Sequence, residues 1–116
     1  MSAKENIRVV CRLRPENKIE KEGGHKICVS HSLSSVKINV SNWKWKQIES
    51  DKRSSEDGVH EFTFDRIFGP DSKQLEVFDY SAKPIIQSVM DGYNGTLLCY
   101  GQTSSGKTFT MEVIYI

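Results

Sequence analysis

The chain has 116 residues, the size of one modest domain, with 16 basic and 15 acidic side chains and a net charge of +1. That balance offers no electrostatic basis for gripping nucleic acid or an anionic membrane surface. No apolar run approaches the roughly 20 residues needed to span a bilayer.

In chain order, Met1-Ser2-Ala3-Lys4-Glu5-Asn6 lacks the apolar stretch of a secretory leader. Residues 7–13 are β-branched and apolar at their centre and read as a first strand, stopped by Pro15. Arg12 and Arg14 at its far end have two readings. One is a solvated strand terminus. The other is a platform, because a guanidinium can lie on an aromatic base and proline offers a flat apolar wall. Residues 16–24 are polar, and Gly23-Gly24 marks a turn. Residues 26–30 and 36–40 alternate as two short strands. Trp43 and Trp45, interleaved with lysine, read as a half-exposed edge strand rather than a stacking platform for nucleic acid. Residues 47–61 are charged, Ser-rich and aperiodic, the pattern of a surface loop. A strand pattern resumes over 61–68 and closes at Gly69-Pro70.

A helix follows, with Ser72 as its expected N-cap. Leu75, Phe78, Ala82, Ile85, Ile86, Val89 and Met90 recur at spacings of three and four, which marks one buried face. Pro84 interrupts that pattern and predicts a kink or short break. Asp91-Gly92 ends the helix, and Asn94-Gly95 turns the chain into a short apolar run, 96–100, that reads as a buried strand. The cysteines Cys11, Cys28 and Cys99 show no C-x-x-C pairing. Cys11 and Cys99 sit in strand-like runs where buried, reduced thiols are expected. His25, His31 and His60 show no spacing that suggests a metal site.

Gly101-Gln102-Thr103-Ser104-Ser105-Gly106-Lys107-Thr108 fits the phosphate-loop pattern G-x-x-x-x-G-K-[ST]. Its glycines permit a sharp turn and a close approach of backbone to ligand. The loop amides can then form an anion-binding nest. Lys107 would add a positive charge for the β- and γ-phosphates of a nucleotide, and the Thr108 hydroxyl one hard oxygen ligand for Mg²⁺. The strand-like run before the loop and a helix starting near Gly106 supply the context the motif requires. The bland alternative is an ordinary Gly/Ser-rich turn.

Three separated motifs resemble the kinesin motor domain, conventional heavy-chain type. They are Arg12-Leu13-Arg14-Pro15, residues 62–68, and residues 92–112 with the phosphate loop at their centre. The resemblance implies an α/β fold, the N-terminal third of a P-loop NTPase motor. It would have a central β-sheet with flanking helices and a small antiparallel β-lobe inserted at about 24–61. It also implies ATP and Mg²⁺ as cofactors, with Arg12, Arg14, Pro15 and Phe78 bordering the adenine. Residues 101–108 would hold the phosphates, and Thr108 the metal. Microtubules would be the partner, without nucleic acid or membrane. The parent would be a dimer through a stalk, located in the cytoplasm on the cytoskeleton.

The chain also departs from the family. Phe109 stands where many relatives have histidine. Val113 follows Met111-Glu112 where the family commonly has glycine. The insert, residues 27–61, is longer than the compact hairpin lobe expected of the family. The two switch regions that would follow the phosphate loop are absent, so the 116 residues alone are expected to bind ATP weakly and not to hydrolyse it. The late strand that would sit beside 96–100 is absent too, leaving strand edges open. Two other classes stay open at this point. One is a different P-loop NTPase. The other is a non-catalytic interaction fragment using the lobe around Trp43 and Trp45.

Overall fold

A computed structural model describes residues 7–24, 27–39 and 58–112. The expected Trp43–Trp45 edge strand, most of the 47–61 loop and the chain end 113–116 lie outside the described residues. The described residues form two compact units. Those up to Arg12 and from Glu16 to Ile67 make one; Leu13–Pro15 and those from Phe68 onward make the other.

The first unit contains an antiparallel sheet of β2 (Val29–His31), β3 (Ser35–Asn39) and β4 (Val59–Thr63), in the order β2-β3-β4. Val29 faces Ile38, and Val36 faces Phe62. A strand alternates its faces, so Val36 is buried while its neighbour Lys37 is exposed beside its cross-strand partner Glu61 at 3.7 Å. Ser32 closes the β2–β3 turn: its N–H donates to the Ser35 carbonyl, and its hydroxyl accepts from the Ser35 N–H.

Residues 59–61 are part of β4, not of a surface loop. Their charge suits an exposed strand whose backbone is paired with β3. The run 61–68 is likewise not one strand. β4 ends at Thr63, and β5 (Arg66–Phe68) pairs with β1 (Val10–Arg12). The break falls at Phe64 and Asp65. Phe64 N–H donates to the Ser34 carbonyl, whereas Asp65 N–H donates to the Val9 carbonyl. The Asp65 carboxylate also accepts the Val9 N–H at 2.6 Å. Leu13 N–H donates to the Phe68 carbonyl, so β1 and β5 run in the same direction.

The polar stretch before Gly23 contains a helix that apolar periodicity does not reveal, α1 (Lys18–Glu22). Asn17 caps it: its side chain accepts from Glu20 N–H at 2.8 Å, and the Glu20 carboxylate accepts from Asn17 N–H at 2.8 Å.

In the second unit Phe68 and Val77 are buried, and Phe68 meets Tyr80 edge-on with ring centroids 5.9 Å apart. The expected single helix is three pieces: α2 (Gln74–Val77), a π-helical turn (Phe78–Ala82) and α3 (Lys83–Met90). Its apolar residues do not form the expected buried face: Leu75, Ile86, Val89 and Met90 are exposed, and Phe78, Ala82 and Ile85 are half-buried. The break expected from Pro84 is present, and it takes the form of that wider turn. Pro84 has no N–H to donate, and its ring crowds the carbonyl four residues back. Placed in the first turn of α3, it sits where a missing donor costs least. Ser72 is not the N-cap. Its hydroxyl donates to the Gly69 carbonyl in the preceding turn, and Lys73 takes the cap position.

Residues 96–100 do not form a buried strand. They carry no strand assignment, and Leu98 and Tyr100 are exposed. A strand requires a neighbour for its backbone donors and acceptors, and among the described residues no ladder reaches this run. Cys99 is exposed with it, contrary to the burial its apolar neighbours suggest, whereas Cys11 on β1 is half-buried. Among the described residues no helix is long and apolar enough to cross a membrane.

Candidate functional site

The eight residues of the phosphate-loop motif form one continuous bend leading into α4 (Lys107–Met111). Two residues give the bend its shape. Ser104 has φ 66° and Gly106 has φ 96°, both in the left-handed region. Glycine occupies that region at little cost. Ser105 N–H donates to the Gln102 carbonyl at 3.2 Å, closing the tip. Gly101 is needed for a different reason, close packing. A Cβ there would collide with the Ser105 hydroxyl and lie 3.2 Å from the Ser105 Cβ. Gly95, upstream, passes the helix at comparable range, with the Ile85 methyl 2.5 Å from where its Cβ would stand.

Gly106 is the N-cap of α4, and Thr110 N–H donates back to its carbonyl at 2.9 Å. The helix therefore begins where the motif predicts. Its first two residues are Lys107 and Thr108. The Lys107 ammonium folds back over the loop and donates to the carbonyls of Gly101 and Gln102, the latter at 2.9 Å. Both acceptors are neutral oxygens. An anionic oxygen would compete well for the same ammonium, because charge-assisted hydrogen bonds are roughly twice as strong as neutral ones. Thr108 is exposed, with its hydroxyl on the first turn. An open cavity of about 400 Å³ is lined by Thr103, Ser104, Gly106, Lys107, Thr108 and Phe109.

The expected adenine-side residues are placed as follows. Arg14 and Pro15 are exposed and belong to the same compact unit as the loop; Phe78 also belongs to it, half-buried at the start of the π turn. Arg12 is half-buried on β1, in the first unit. None of these four lines the loop cavity. Gln102 and Ser105 shape the bend without lining the cavity either, through the backbone bond between them.

Gln74 was not identifiable as part of the site from sequence. Its side-chain amide, 35 residues before Phe109, donates to the Phe109 carbonyl at 2.7 Å, and also reaches the Glu112 carbonyl at 3.0 Å and Thr110 at 3.3 Å. Nothing in local spacing links positions so far apart. Phe109 as a cavity wall follows only from the direction α4 takes.

The model of the kinesin motor domain matches residues 12–114. The chain belongs to the kinesin motor domain family. It is 46% identical over 111 residues to Kinesin-related protein 3 of Dictyostelium discoideum, covering 94% of this chain and 8% of that protein. It is 40% identical to Kinesin-like protein klp-20 of Caenorhabditis elegans, covering 96% of this chain and 16% of that one. It is 43% identical to the Kinesin heavy chain of Strongylocentrotus purpuratus, covering 92% and 8%. A solved structure described as "Structure of a fast kinesin: Implications for ATPase mechanism and interactions with microtubules" superposes with a TM-score of 0.66. The identity is 35%, with coverage of 89% of this chain and 25% of that one. The chain thus spans less than a fifth of these curated relatives and a quarter of the solved kinesin. Family membership decides against an unrelated P-loop NTPase, and the fold is the N-terminal part of the kinesin α/β fold.

Proposed function

We propose that this chain is the nucleotide-binding part of an ATP-driven microtubule motor. The observation that carries the reading is the bend at Ser104–Gly106 running directly into a helix that begins with Lys107 and Thr108 beside an open cavity. Gly101 to Thr108 would hold the triphosphate through loop amides and the Lys107 ammonium. The donor set suits Mg²⁺: the exposed Thr108 hydroxyl is a hard, neutral oxygen, and the nucleotide's phosphates would supply others. The metal would neutralise phosphate charge. Arg12, Arg14, Pro15 and Phe78 would border the adenine, by their match to the family's motif.

Hydrolysis and movement along microtubules are proposed of the whole protein, as are dimerisation through a stalk and a cytoskeletal location in the cytoplasm. The 116 residues alone are proposed to bind ATP weakly and not to turn it over. Phosphoryl transfer is catalysed by groups positioned around the γ-phosphate, including one that orients the attacking water. Among the described residues lining the cavity there is one cation and no carboxylate.

Calorimetric titration of the intact protein with Mg·ATP, followed by microtubule-stimulated turnover, tests the reading. Uptake and stimulated hydrolysis are expected, both lost in Lys107→Ala. Absence of uptake by the wild-type protein overturns it.

A further inference from the structure

We propose that Gln74 is a positioning residue for the phosphate-binding loop, holding the carboxyl end of α4 so that Lys107 and Thr108 keep their places. The inference rests on the nucleotide reading above and deepens it. α4 has five residues, far below the roughly 12–15 at which an isolated helix becomes marginally stable. Its orientation therefore comes from what it is tied to. The last carbonyls of a helix lack partners within the helix. Here the Gln74 amide meets three carbonyls at the end of α4 or just beyond, Phe109 at 2.7 Å, Glu112 at 3.0 Å and Thr110 at 3.3 Å.

Gln74 has a firm base. It opens α2, whose first turn is closed by the Glu76 carboxylate accepting the Lys73 N–H at 3.2 Å, and whose Val77 is buried. Phe109 is only two residues past Lys107, within one helical turn. A shift of the carboxyl end consequently tilts the ammonium and the Thr108 hydroxyl together.

The tie has a chemical requirement. All three acceptors are carbonyl oxygens, so the side chain must donate. Glutamate is nearly isosteric but carries only acceptors at neutral pH and would face the carbonyls with negative charge. Lysine has the reach and three N–H donors, and a cation suits the negative end of a helix. Asparagine keeps the amide but falls one methylene short.

The test uses the intact protein and its Gln74→Glu, Gln74→Asn and Gln74→Lys variants. ATP is titrated calorimetrically with Mg²⁺ and again in EDTA, below each variant's unfolding transition. Wild-type uptake of Mg·ATP establishes the underlying nucleotide reading; its absence overturns that reading and the role of Gln74 with it. Gln74→Glu and Gln74→Asn are expected to bind Mg·ATP ~10-fold more weakly, the loss of one good hydrogen-bonded tie. The gain in affinity on adding Mg²⁺ is expected to shrink, because Thr108 is displaced. Gln74→Lys is expected to restore both. If Gln74→Glu does not fold, Gln74→Asn carries the comparison. Wild-type affinity in both weakened variants overturns the proposal. So does equal loss in all three in step with their melting temperatures, which would make Gln74 a folding residue only.

Discussion

Lys107 Nζ donates to the Gln102 carbonyl at 2.9 Å, so the cation of the phosphate loop is held by the loop's own backbone. A nucleotide taking this ammonium must exchange neutral acceptors for anionic ones. Lys107→Ala is expected to weaken Mg·ATP binding roughly 10- to 150-fold, the span of a hydrogen bond to a charged group. Thermal stability should change little, since the side chain anchors a half-buried loop rather than a core. Calorimetry and a melting curve on the same sample check both statements.

The two loop glycines fail differently. Gly101→Ala is a packing error, because the added carbon meets the Ser105 side chain. It is expected to cost about 1–3 kcal/mol, in line with other overpacked sites. Ser105→Gly in the same molecule should recover most of that. Gly106→Ala meets nothing within 4 Å, but forces alanine to φ 96°. The expected cost of about 1–2 kcal/mol is conformational, and Ser105→Gly should not relieve it. Denaturant unfolding of the two double mutants separates the cases.

Asn17→Ala removes the cap on α1 together with its reciprocal bond to Glu20. A loss of about 0.5–2 kcal/mol is expected. Asn17→Asp should keep the cap. Hydrogen exchange at residues 18–22 is the direct readout, because fraying would be confined there.

The thiols should differ in reactivity. Burial pushes the Cys11 thiol above its ordinary value, while Cys99 is exposed. Brief treatment with iodoacetamide at pH 8 is expected to label Cys99 first, as read by peptide mass spectrometry. The linkage has a definite sign. A thiol whose pKa is higher folded than unfolded loses its proton more readily when unfolded. Its contribution to stability is therefore present at neutral pH and falls as pH rises above about 8.5. Cys11→Ala should flatten that part of the stability–pH curve.

Local conformation set by a contiguous string of residues was legible in the chain. The bend, the helix start at Gly106 and the placement of Lys107 and Thr108 on the first turn follow from eight neighbours whose steric needs are local. The interruption at Pro84 was legible for the same reason, since it follows from one missing donor. The helix α1 is signalled locally by the capping pair Asn17-x-x-Glu20 rather than by apolar periodicity. The rest was not local. Whether 96–100 is a strand depends on a neighbour, and its apolar composition cannot report whether one is there. The split at Phe64 and Asp65 depends on Ser34 and Val9, each far away in sequence.

By itself, then, the order of residues determined the bend and the helix start, because backbone conformation at 101–108 is a short-range property. Only the tertiary structure decided what steadies it. Gln74 reaches α4 across 35 residues, a contact no spacing rule encodes, because chain separation and spatial distance become unrelated once a helix folds back on its neighbour.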